Sequence, residues 1–164
     1  MFEDLLFANR RYAARFHDGG VAGVAAKRLA VVTCIDSRID PLAMLGLHAG
    51  DAKILRNAGG RVTGDALRSL VLAANLLGAH RICVVQHTDC AMVGSTEDEM
   101  RARVTEASGS DASGWDFLVS QDQIATLKHD LELIRECPLI PASVEVGGFI
   151  YNVRTGELEP AVAI

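Results

Sequence analysis

Residues 29–38 read Leu-Ala-Val-Val-Thr-Cys-Ile-Asp-Ser-Arg. The first six, Leu29 to Cys34, form a short and almost continuous apolar run, the pattern of a strand buried on both faces. His80 to His87 (HRICVVQH) repeats the pattern. Ala52 to Leu55 is a weaker strand between them, and Val144 to Val153 a further one, followed by a Thr155-Gly156 turn into a last extended piece. Helical segments alternate with these runs. Glu3 to Phe16 carries a patchy apolar face ended by Gly19-Gly20. Thr63 caps a segment running through Leu77 that is apolar nearly all round, which predicts deep burial. Thr96 with Glu99, and Ser120 with Gln123, have the spacing of capping boxes. The second of these opens a stripe of Ile124, Leu127, Leu131 and Ile134 that Pro138 stops. Strands alternating with helices predict an α/β domain with a mostly parallel central sheet flanked by helices, right-handed crossovers placing helices on both faces.

The chain has 164 residues and reads as a single α/β domain over 1–164, with half of it apolar (49%) and 23% charged. Ser108 to Gly114 reads as a flexible loop rather than a domain linker. A net charge of -5 disfavours a non-specific nucleic-acid binder. The most apolar stretch, Ala66 to Gly78, is short and interrupted, so no membrane span is expected. The opening MFEDLLF places Glu3 and Asp4 where an export signal has a basic region, so a reducing cytoplasm is the expected compartment. In it, four cysteines read as thiols or metal ligands before disulfides.

In parallel sheets, ligands sit beyond the C-terminal strand ends. Cys34 ends the first strand and His87 the third, with Cys90 three residues on. Two thiolates and one imidazole suit a tetrahedral zinc ion with its fourth position open, so Cys34, His87 and Cys90 are the candidate metal ligands for Zn2+. Asp36 and Arg38 follow the first ligand. A guanidinium fork can clamp a carboxylate and keep it ionised. Asp36 would then accept a hydrogen bond from water on the zinc, or swing in and fill the fourth position itself. The pair also reads as a structural salt bridge. Cys83, mid-strand, and Cys137, at a helix end, read as packing residues. His17, His48, His80 and His129 read as ordinary surface or helix-end histidines. Gly59-Gly60 reads equally as a tight turn and as a close backbone approach to the pocket. Glu97, Asp98 and Glu99 read as a solvated helix start matched to its dipole.

Cys34-x-Asp36-Ser37-Arg38, Arg56-Asn57-Ala58-Gly59 and His87-Thr88-x-Cys90, in this order, resemble the β-class carbonic anhydrases of the short archaeal and bacterial type. The resemblance runs from about Leu29 to Met92 and more weakly through the last helix and Gly147-Gly148-Phe149. It implies that Cys34, His87 and Cys90 bind zinc and that Asp36 and Arg38 are the catalytic dyad. It also implies a homodimer or dimer-based assembly, the helical arm 1–17 packing on a neighbouring subunit. The implied reaction is reversible hydration of carbon dioxide to bicarbonate and a proton. Hydrolysis of carbonyl sulfide or carbon disulfide on the same fold is the alternative, and a non-catalytic zinc protein the third reading. Some family members switch with pH, the aspartate of this motif ligating zinc at lower pH and leaving it at higher pH. Two departures stand out. No Gln lies between Gly23 and Leu29, where plant-type members carry a substrate-contacting one. Ala91 stands where the family usually has Gly.

Overall fold

The computed structural model describes residues 1–162. Its core is a five-stranded sheet of β1 (Leu29–Cys34), β2 (Ala52–Asn57), β3 (Arg81–His87), β4 (Glu145–Tyr151) and β5 (Leu158–Val162), in the order β2-β1-β3-β4-β5. The first four strands run parallel and β5 closes the edge antiparallel to β4. All six residues of β1 are buried, as its unbroken apolar run demands of a central strand. Among the described residues there are four α-helices: α1 (Glu3–Ala13), α2 (Gly64–Leu76), α3 (Glu97–Ser108) and α4 (Gln123–Arg135).

The fold class and strand positions are as read from the sequence, with four differences. Helices do not cover both faces of the sheet. Leu70 and Ala73 of α2 share one core with Leu127, Leu131 and Ile134 of α4, against Ala30, Val32, Ile82 and Val84. The opposite face, Leu29, Val31 and Val85, is covered by Met44, Leu45 and Leu47. The chain makes only a 3₁₀ turn there, Ala43–Leu45, because the β1–β2 connection contains no long periodic segment.

Second, α2 is not buried all round. Ala66, Leu70 and Ala73 form its buried stripe, whereas Leu72 and Leu76 are exposed. A helix laid on a sheet can turn only one stripe inward, whatever its composition. Third, α4 starts two residues later than the Ser120–Gln123 box implies: Asp122 is the N-cap and accepts from the Ala125 N–H at 2.9 Å. Ser120 instead pairs its hydroxyl with Thr126 Oγ1 at 2.6 Å. Fourth, Glu97 does not simply face solvent. Its carboxylate accepts the Phe117 and Val119 N–H groups, docking the following loop on α3.

The Thr96–Glu99 capping box is present in full. Residues 108–114 form a loop tied back to α3 by the Ala112 N–H on Thr105 Oγ1. Among the described residues, no helix is long and apolar enough to cross a membrane. No residue of α1 is buried: Leu5, Leu6, Phe7 and Tyr12 all stand exposed on it, as does Phe2 just before it.

Candidate metal centre

The direction of chain travel reverses between β1 and β3. From β1 the chain moves to β2 on one side, then returns across to β3 and β4 on the other. That switch point leaves a crevice at the C-terminal strand ends. Cys34 and His87 arrive there on neighbouring strands, and the turn after β3 brings up Cys90. Their ligand atoms lie within 4.8 Å of one another, and all three residues are buried. Among the described residues, Cys83 and Cys137 stand apart from this group, packed into the two faces of the sheet.

Two features fit these donors to a metal ion. His87 turns Nδ1 to the Thr88 carbonyl at 2.8 Å. This leaves Nε2 as the lone-pair nitrogen, buried and without a hydrogen-bond partner. A buried orphan of this kind is costly unless a ligand satisfies it. The two thiols are also electrostatically unequal. A hydrogen bond with Cys90 holds the Cys34 thiol well below the ordinary thiol range, against the opposing effect of burial. The same Cys34 contact, with burial, pushes Cys90 up. The contact between the two thiols favours one shared proton over two, which makes thiolate available to a metal ion.

Asp36 is gripped by Arg38. Nε donates to Oδ1 at 2.9 Å, the terminal NH2 nitrogen to Oδ2 at 2.7 Å, and the Arg38 backbone N–H to Oδ1 at 2.9 Å. The Arg38 side chain, and next its backbone N–H, hold the Asp36 carboxyl well below the usual carboxylate range. Oδ2 still lies 3.9 Å from His87 Nε2. The carboxylate therefore stands at the edge of the donor cluster. Around the cysteines pack Ile39, Met44, Met92, Val93, Tyr151 and Val153, an apolar wall.

Other side chains shape the site through contacts that the sequence did not assign to them. Arg56 donates to the carbonyls of Cys34, Asp36 and Ile39, fixing the loop that carries the dyad. Gln123 Nε2 donates to the His87 carbonyl at 2.9 Å. Arg154 Nε reaches Asp89 Oδ2 at 2.8 Å and steadies the His87–Cys90 turn, in which Asp89 takes a left-handed φ of 54°. Gln123 did carry a signal, its spacing from Ser120, but the structure spends it on a ligand's carbonyl rather than a helix cap. Gly59-Gly60 serves both uses foreseen for it. Gly60 has φ +64°, and a Cβ there would stand 3.1 Å from Cys34 N, Thr33 C and Val85 O.

The sequence pattern of the family described as carbonic anhydrase matches residues 29–158. The chain belongs to the β-carbonic anhydrase family. β-Carbonic anhydrase 1 of Mycobacterium tuberculosis is 33% identical over 156 residues, covering 95% of this chain and 94% of that protein. A carbon disulfide hydrolase of Saccharolobus solfataricus is 35% identical, covering 80% of this chain and 76% of its own. The crystal structure of a carbonic anhydrase from Streptococcus mutans superposes with a TM-score of 0.91 at 38% identity, covering 98% of this chain and 97% of that one. The two chains therefore share nearly the whole fold.

Proposed function

We propose that this β-carbonic anhydrase family member catalyses the reversible hydration of carbon dioxide to bicarbonate and a proton, with zinc held by Cys34, His87 and Cys90. The observation that carries the reading is the clamped Asp36 carboxylate beside a three-donor cluster. A structural zinc site supplies four protein ligands, whereas a catalytic one supplies three and keeps a position open. Here the Asp36 carboxylate beside the cluster is engaged by Arg38 instead. This argues against the non-catalytic reading.

Zinc at such a site supplies Lewis acidity that makes water nucleophilic near neutral pH. The remaining work falls to side chains of this protein. Asp36, ionised and acceptor-only, takes the O–H of the attacking oxygen and aims its lone pair at the substrate carbon. Arg38 fixes Asp36 in that orientation. The wall of Ile39, Met92, Val93 and Tyr151 favours a small apolar substrate and lets bicarbonate leave for water.

The carbon disulfide hydrolases among the relatives favour a second reading, in which carbonyl sulfide or carbon disulfide is the electrophile. Both substrates are linear and apolar, and the same residues would act on either. We also infer a homodimer or dimer-based assembly in the cytoplasm. The exposed apolar residues of α1, and Leu72 and Leu76 of α2, support the assembly, because clustered exposed apolar side chains are a feature of interaction surfaces. The test of substrate is direct: zinc-loaded protein assayed in parallel for carbon dioxide hydration and for hydrogen sulfide release from carbon disulfide. Faster turnover of carbon dioxide supports the first reading. Turnover of carbon disulfide alone overturns it.

A further inference from the structure

The segment Trp115 to Ser120 lies between α3 and α4 and belongs to neither. Side chains from elsewhere hold its backbone. Arg101 Nε donates to the Trp115 carbonyl at 2.7 Å. The Glu97 carboxylate accepts the Phe117 N–H on Oε2 at 3.0 Å and the Val119 N–H on Oε1 at 2.8 Å. Between those two points a terminal nitrogen of Arg61 donates to the Leu118 carbonyl at 2.8 Å. Arg61 is itself fixed on the fully buried Asp130, Nε to Oδ2 at 2.8 Å. Leu118 is drawn into the left-handed region, with φ 58°. A bulky side chain adopts that conformation only where its surroundings impose it.

This strap reaches the candidate site through its last residue. The Ser120 N–H donates to the Met92 carbonyl and the Gly94 N–H to the Ser120 carbonyl, both at 2.8 Å, so Ser120 pairs with Val93 as one parallel rung. Met92 and Val93 come just after Cys90 and pack against Cys34 and Cys90. They belong to no helix or longer strand, unlike Tyr151 of the same wall, which β4 places. Their position therefore depends on the pairing with Ser120. A main-chain connection runs from the Glu97 carboxylate to the pocket wall.

We propose that Glu97 is a positioning residue that decides which electrophile the site accepts: by holding the Phe117 and Val119 N–H groups it fixes the strap, and the strap keeps the Met92–Val93 wall close over the site. The inference rests on the hydration reading of the Cys34–His87–Cys90 site. Carbon dioxide and carbon disulfide are both linear and apolar, so polar contacts separate them poorly. Sulfur is larger than oxygen, and a wall that cannot yield excludes the larger molecule. Glu97 suits the task because an ionised carboxylate accepts at two oxygens, one for each N–H.

The test uses full-length protein with measured zinc content. Its readout is the kcat/KM for carbon disulfide divided by that for carbon dioxide. Glu97→Ala frees both N–H groups, and Glu97→Gln keeps one acceptor oxygen. Met92→Ala opens the wall directly. Glu99→Ala removes the capping-box carboxylate from the same turn of α3 and controls for a loosened helix. We expect the ratio to rise about tenfold in Glu97→Ala, the low end of what one methylene of pocket room is worth, and less in Glu97→Gln. Zinc content should not change, and Glu99→Ala should leave the ratio in place. In the Met92→Ala background, Glu97→Ala should add little, because both act on one wall. An unmoved ratio in Glu97→Ala overturns the inference, as do an equal rise in Glu99→Ala and full additivity with Met92→Ala. Should no Glu97 variant fold, Met92→Ala and amide exchange in the unmodified protein decide together. The ratio must rise in Met92→Ala, and the Phe117 and Val119 N–H groups must exchange as slowly as that of Ser120; failure of either overturns the inference. Unmodified zinc protein that turns over neither substrate fails the hydration reading itself, and this inference with it.

Discussion

Arg38 meets Asp36 edge to edge, with both carboxylate oxygens held at 2.9 and 2.7 Å, while Oδ2 stays 3.9 Å from His87 Nε2. The pair is thus fork-bound and at the metal cluster at the same time. Arg38→Lys cannot reproduce two parallel bonds from one ammonium. We expect it to keep its metal and to lose about a hundredfold in kcat/KM, the scale of a misplaced proton acceptor. Steady-state kinetics with zinc content measured on the same samples checks this.

The same grip fixes a pH dependence. Arg38 lowers the folded-state pKa of Asp36, so the stabilisation is present above the ordinary carboxylate range and fades only as pH falls below it. Carbon-13 NMR of the Asp36 carboxyl should show no titration between about pH 4 and about pH 9. In Arg38→Ala the freed carboxylate competes for the open metal position, so the rise of activity should move to higher pH, where hydroxide competes better. A profile for Arg38→Ala that overlays the unmodified protein reduces the dyad to a surface salt bridge.

Metal binding should release protons in a defined number. Cys34 is held low and Cys90 high, so the pair keeps one proton that zinc must displace. Titration calorimetry of metal-free protein in buffers of different ionisation enthalpy should give about one proton per zinc from the thiol pair, and about one more where water on the metal ionises on the alkaline side of neutrality. Affinity should fall as pH drops. Cys34→Ala and His87→Ala should lose the metal, and Cys83→Ser should keep it.

Gly60→Ala would place a methyl 3.1 Å from three backbone atoms at φ +64°. The left-handed backbone alone costs about 1–2 kcal/mol for a residue with Cβ, and the forced separation adds to it. Thermal unfolding should show a clear drop in Tm, accompanied by a lower zinc content in the folded fraction.

Removal of Met1 to Arg15 takes away Phe2, Leu5, Leu6, Phe7 and Tyr12, all exposed in a single chain. Light scattering should report a smaller, concentration-dependent mass for the truncated protein. A single-chain mass for the intact protein would contradict the assembly.

The strands and the donor set were legible because both are local signals. Unbroken apolar runs announce buried strands, and ligand-type residues at two strand ends announce a crevice. What the sequence hid depends on distant pairings. Nothing near Asp130 or Arg61 says that they meet across 69 positions, nor that Arg56 spends its guanidinium on three carbonyls of the dyad loop. Ser120 and Gln123 have the spacing of a capping box, yet both side chains find better partners in the tertiary structure. The apolar composition of α2 misled in another way: hydropathy says which faces avoid water, not which are covered by the same chain.

Stopped-flow measurement of carbon dioxide hydration, on protein of known zinc content, tests the central claim most directly. The account predicts a saturable rate well above buffer for the zinc-loaded protein, and near-buffer rates for Asp36→Asn carrying the same zinc. A fully zinc-loaded protein that does not exceed the buffer rate at any pH, or an Asp36→Asn variant as fast as its parent, would contradict it.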